Sequence, residues 1–154
     1  MTDQPLHPAA RAFVADGWDA AWSKGLWAAS WSRSIEGLTP AQASWSPAPG
    51  RHSIWQIVLH MVFWRETYLR RLATGEQTSD EERDRLNFPE ITGVTEASWA
   101  DARRRLAETH ARVARALRDP DPKHDVLAAF LTHDCYHMGQ VNYLRAMQGL
   151  APIE

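Results

Sequence analysis

His133 and His137 stand four residues apart in the segment HDCYHMGQ. A helix turns about 100° per residue, so this spacing puts the two imidazoles within about 40° of each other on one face. Val126, Phe130, Val141 and Leu144 project to the same side, and the pair therefore lies in the apolar stripe that must meet other helices. A buried histidine has two explanations: a hydrogen-bonded core residue, or a metal ligand, since neutral imidazole is a preferred donor to Zn, Ni, Fe and Cu. For the pair alone both stand. A third ligand has to come from another helix, because the chain beyond His137 offers only Glu154. His60 is the best donor, midway along IWQIVLHMVFWRETYLRRL with Ile57, Phe63 and Trp64 on its face, although alone it would read as a core histidine. His60, His133 and His137 are thus the candidate metal-binding set. Three neutral nitrogens leave a divalent ion its full charge and an open position, as in catalytic rather than closed structural sites. Imidazole ligands do not choose among Zn, Ni, Fe and Mn.

The neighbours divide by direction. Gln140, one turn beyond His137, is placed to orient a ligand or a bound water, or to pack between helices. Trp64 is a candidate pocket wall. His110 falls in the Trp99, Leu106, Val113 stripe and is either a core histidine or a further pocket group. His7, His52 and His124 are expected to be exposed, and Cys135 points away from the histidine pair, neither ligand nor nucleophile. HDCYH differs from the zincin pattern HExxH by Asp134 in place of the glutamate base. The shorter side chain, the lack of a downstream third ligand and the absence of flanking strands argue against a protease.

Helical periodicity supplies the elements that hold these residues. The first helix is expected over about residues 8 to 37, with a break near Gly17, from the recurrence of Phe13, Val14, Trp18, Trp22, Leu26 and Ala29. The segment LTPAQASWSPAPGRH, rich in proline, is an irregular connection. Ser53 with Gln56 forms a capping-box pair that opens the second helix, about 54 to 73. Residues 74 to 94 form a long acidic connection, read as exposed, with a short helical turn allowed. Phe88 and Pro89 give it a chance of covering a pocket mouth, but a solvated loop is the preferred reading. Thr95 caps a third helix to about 118, and Asp121 with Pro122 opens a fourth that ends at Gly149. With no period-two alternation, the fold class is all-α: a single four-helix-bundle domain over 1–154. Its expected topology is up-down-down-up, with a long crossover between the second and third helices.

Composition removes other classes. The chain has 154 residues, 44% of them hydrophobic, and a formal charge of −2, so no global positive field gathers nucleic acid. No apolar run approaches a membrane span, the N-terminus MTDQPLHPAARAF lacks signal-peptide features, and one cysteine cannot form an intrachain disulfide. A cytoplasmic protein is expected. The eight tryptophans are read chiefly as core.

Three stretches carry a family likeness: GLTPAQASWSPAPGRHSIWQIVLH leading to His60, HMVFWRETYLRRL beyond it, and HDCYHMGQVNYLR around His133 and His137. With these the sequence resembles the DinB-like family, which includes YfiT-like bacillithiol transferases and mycothiol-dependent maleylpyruvate isomerases. The resemblance implies a four-helix bundle, a divalent metal on His60, His133 and His137, and commonly a homodimer. It leaves the reaction open, because members are diverse. With no second cysteine, the preferred function is metal-dependent activation of a low-molecular-weight thiol for transfer to an electrophile. The alternatives are a non-catalytic metal- or small-ligand-binding stress protein, a metal-dependent hydrolase and a metal-free structural bundle.

Overall fold

The computed structural model describes residues 5–153; Glu154 and the first four residues of MTDQPLHPAARAF lie outside that range. Every regular element among the described residues is helical: α1 (Pro8–Ser23), α2 (Trp31–Ile35), α3 (Pro40–Ser44), α4 (Ile54–Thr74), α5 (Asp80–Leu86), α6 (Glu96–Leu117) and α7 (Ala129–Met147), the last preceded by a 3-10 segment, Pro122–Ala128. None of these helices is long and apolar enough to cross a membrane.

The long helices α1, α4, α6 and α7 enclose one apolar core. The ends of α1 and α6 run past each other in opposite directions, because Arg11 Nη1 donates to Pro120 O while Trp18 Nε1 donates to His110 O. Helices α4 and α6 run in the same direction, with Trp55 beside Trp99 near their starts and Arg65 donating to Leu106 O further along. Along α7 the order reverses, Tyr68 meeting Phe130 while Arg65 pairs with Asp134. A parallel pair joined by a long connection is what lets α5 and its flanks lie across the bundle.

Local sequence explains the boundaries. Ser53 Oγ accepts from Gln56 N and Gln56 Oε1 accepts from Ser53 N, a reciprocal cap that fixes the start of α4; Thr95 and Ser98 do the same for α6. Gly75 ends α4 in the left-handed conformation, φ 77°, which glycine adopts without a Cβ clash. Trp18, Trp31, Trp55 and Trp99 are buried and Trp22 and Trp64 pack against the core, as read, whereas Trp27 and Trp45 are exposed. Trp18 and Trp99 also satisfy their indole N–H on carbonyls, of His110 and Leu38.

Four expectations are corrected. The first helix ends at Ser23, and the break falls at Gly25 rather than Gly17. Gly25 has φ +81° and a Cβ there would lie 2.0 Å from Ala28 O, so the turn requires glycine, whereas Gly17 sits inside the helix. The proline-rich connection contains α3, started by the Thr39–Gln42 capping box and Pro40. Asp121 and Pro122 open a 3-10 segment, not α7 itself, which begins at Ala129. Finally, His124 is half-buried, its Nδ1 3.5 Å from Asp119 Oδ1, rather than exposed.

Candidate metal centre

His60 lies midway along α4 and His133 and His137 on successive turns of α7, and the antiparallel crossing of these helices brings the three rings together. One ring nitrogen from each lies within 4.8 Å of the other two. His60 Nε2 and His133 Nε2 are 3.2 Å apart. The ring centroids of His60 and His133 are 4.5 Å from that of His137.

Each outer nitrogen is tied to an oxygen. His60 Nδ1 is 2.7 Å from Asn87 Oδ1, which also accepts from Trp64 Nε1 at 2.8 Å. Indole nitrogen only donates, so the Asn87 atom is the carbonyl oxygen and His60 carries its proton on Nδ1. His133 Nδ1 lies 2.6 Å from Asp134 Oδ1. The other oxygen of Asp134 accepts from Arg65 Nε at 2.8 Å and lies 2.7 Å from Arg65 Nη2 as an ion pair, with both side chains fully buried. A carboxylate held this way accepts only, and His133 is again the Nδ1–H tautomer. His137 Nδ1 meets Gln140 Oε1 at 2.8 Å, and Gln140 Nε2 donates to Tyr136 Oη at 3.1 Å. All three Nε2 lone pairs are thereby left for a shared cation.

Electrostatics agree with that donor set. Burial, and then the neighbouring His137, pushes the His60 pKa down from 6.5 to about 4, against the pull of Asn87. Burial also lowers that of His137. Neutral rings are the form that binds metal. Metal–nitrogen bonds of about 2.0–2.1 Å set ligand nitrogens roughly 3 to 3.5 Å apart, which the His60–His133 spacing matches. The residues present therefore fit a divalent transition metal.

The connection after α4 is mostly exposed and its short helical turn is α5, as expected, but Asn87 and Phe88 near its far end reach His60 and are not merely solvated. Arg70 of α4 donates to Thr78 and Glu82, anchoring the start of α5, and Asn87 follows the last turn of α5. Gln56 Nε2 donates to Pro89 O, so the residue that caps α4 also fastens the far end. Between these two anchors Phe88 stacks on His60, centroids 4.1 Å apart, and His52 stacks on the other side of Phe88 at 3.7 Å. His52 is exposed, as expected, yet it forms the outer layer of this stack.

A groove of about 910 Å³ opens at His137, bordered by Arg51, His52, Phe88, Tyr136, Gln140 and Tyr143 among others. Gln140 Oε1 lies beside His137 Nδ1, and Trp64 shares the Asn87 oxygen with His60. His110 does not reach the site: it is stacked between Trp18 and Trp22, centroids 4.8 and 4.6 Å away, outside the cluster. Cys135 is free and exposed and is not one of the clustered residues.

The model of the DinB superfamily matches residues 24–148. The chain belongs to the DinB superfamily. No curated protein and no solved structure gives a significant match. Within this DinB chain the matched region holds all three histidines together with Asn87, Asp134, Arg65 and Gln140.

Arg65, Asn87, Asp134 and Phe88 are the residues that reading the sequence passed over or demoted. Asp134, one methylene too short for the protease base of HExxH, instead holds His133 Nδ1. A signal existed for this pair. Arg65 follows Met61 and Val62 in the buried stripe of α4, and Asp134 lies between Phe130 and Met138 in that of α7. Two opposite charges in facing apolar stripes require each other, because an unpaired buried charge is too costly. Asn87 and Phe88 gave no such signal, since only the three-dimensional path of the connection brings them to His60.

Proposed function

We propose that His60, His133 and His137 hold one divalent transition metal, and that the protein transfers a low-molecular-weight thiol to an electrophile beside it. The observation carrying this reading is that every histidine has its Nδ1 committed to an oxygen while the Nε2 atoms converge. Bound there, such an ion supplies Lewis acidity that lowers the pKa of a thiol or water in contact with it.

The chain's own residues account for the rest. Phe88, layered between His60 and His52, keeps water from one face of the cluster. Arg51 brings a positive charge to the groove, and among the described residues no carboxylate side chain lines it, which suits a thiol carrying an acid group. Tyr136 extends from Gln140 to the groove wall, where its hydroxyl can pass a hydrogen bond to a ligand. Cys135 stands outside the cluster, so the thiol comes from a small molecule. Asp134, beside His133, is engaged at both oxygens, so it is not free to serve as a general base for hydrolysis.

Thiol consumption with a model electrophile separates enzyme from binder. Wild type loaded with metal should consume thiol well above the uncatalysed rate and His137→Ala should not. Equal rates would remove the transferase reading and leave a binding protein.

A further inference from the structure

The histidine cluster has two open sides, and the second differs from the first. The groove at His137 carries Arg51, His52 and Gln140. On the His133 side lies a smaller cleft of about 260 Å³, bounded by Trp64 and Tyr68 of α4, by Val126 of the 3-10 segment, and by Ala129 and Phe130 of α7. About a third of the His133 side chain, 32%, is exposed, whereas His60 and His137 are buried.

Among the described residues none that lines this cleft carries a fixed charge. Its walls are aromatic: Tyr68 and Phe130 meet edge to face with centroids 5.4 Å apart, and Trp64 is tilted against Tyr68 at 6.4 Å. The Trp64 N–H is spent on Asn87. An anionic ligand would lose hydration here and meet no cationic partner, whereas a π-face would find both edges and faces to pack on. An apolar cavity of about 150 Å³ holds benzene, so this cleft has room for one ring with a small substituent.

We infer that the cleft is a binding site for a neutral, monocyclic aromatic or comparably flat apolar group, held next to His133. In the transfer reaction this is the site of the electrophile, a role that rests on the thiol-transfer reading above. The thiolate sulfur bonds to its carbon, the bond to the leaving group breaks with the electron pair going to that group, and the thiol proton passes to the leaving group or to water. The one cysteine of the chain lies outside the cluster, so no protein thiol carries the group between two separate half-reactions. Donor and acceptor then have to be bound together, and the two openings on either side of the histidines allow that.

Fluorobenzene, followed by fluorine NMR during titration with the full chain freed of metal by chelation, tests the site. Wild type should give a saturable shift or broadening. Ala129→Phe, at the exposed first residue of α7, should weaken it at least about tenfold, with Val126→Trp as a second blocking variant, while Ala48→Trp in the groove should leave it unchanged. Circular dichroism melting establishes that the variants are folded. The site is overturned if wild type shows no saturable response, whether because the cleft is closed or because a second copy of the chain covers it. It is equally overturned if both blocking variants bind like wild type, or if Ala48→Trp abolishes binding too. Metal and thiol are absent from this titration. Its failure leaves thiol transfer to its own assay, and failure of thiol transfer removes only the acceptor role of the cleft.

Discussion

His60 Nε2 and His133 Nε2 face each other across 3.2 Å, each on a ring whose proton is held at Nδ1. Two lone pairs at that distance repel unless a cation lies between them, and the bonds from Asn87 and from Asp134 prevent either ring from turning away. Metal binding therefore relieves a repulsion built into the metal-free fold. Zinc at a hundred times its Kd should stabilise the protein by about 2.7 kcal/mol, a rise of roughly 5–10 °C in Tm. Thermal melts with and without zinc check this, and His60→Ala should show almost no rise.

Asp134 has two duties that mutation can separate. Asp134→Leu leaves Arg65 buried without its partner and should cost about 3–5 kcal/mol of stability, along with roughly 10- to 100-fold in metal affinity. Arg65→Met/Asp134→Leu removes both charges, so stability should return most of the way while affinity stays low. Urea unfolding and zinc calorimetry on the same samples measure the two effects. Recovery of both together would mean that Asp134 does not orient His133.

Asn87 belongs to a connection and not to the core, and its effect should be correspondingly local. Asn87→Ala frees His60 Nδ1 and the Trp64 indole from their shared acceptor. Zinc affinity should fall about tenfold with Tm in the metal-free state changed by no more than a few degrees. A large loss of stability with unchanged affinity would assign Asn87 to the fold alone.

The positions of the three histidines were legible because helical spacing and apolar stripes are local properties of the sequence. Ser53, Gln56 and Thr95 likewise announced the starts of α4 and α6, where capping depends on residues three apart. What escaped was non-local. Phe88 sits in an acidic, glycine-flanked segment that looks solvated, and it reaches His60 only because Arg70 and Gln56 fasten that segment at both ends. His110 shares a stripe with Trp99 and Val113, but Trp18 and Trp22 of α1 claim it from the far side. Periodicity identifies the buried face of a helix and not the neighbour that covers it.

His110 also sets a pH dependence. Burial, and after it the charge of Arg65, lowers its pKa from 6.5 to about 3, while in the unfolded chain it titrates near its ordinary value. The unfolded state therefore takes up the proton first as pH falls. The stability this neutral ring permits is complete above about pH 6.5 and is lost progressively from there toward pH 3. By pH 5 the loss is on the order of 2 kcal/mol. His110→Phe keeps an aromatic ring between the tryptophans and removes the titration, so unfolding free energies of the metal-free proteins should fall less steeply between pH 7 and 5 than in wild type. Parallel slopes would contradict a buried neutral His110.

The central claim is that three histidines share one metal, and metal content is its most direct test. Protein purified without a nickel column, stripped with chelator, equilibrated with zinc and dialysed should retain one equivalent by elemental analysis. His60→Ala, His133→Ala and His137→Ala, each shown to be folded, should retain less than about a tenth as much. A wild-type value below about a tenth of an equivalent, or full loading in any one of the three variants, would contradict the shared site.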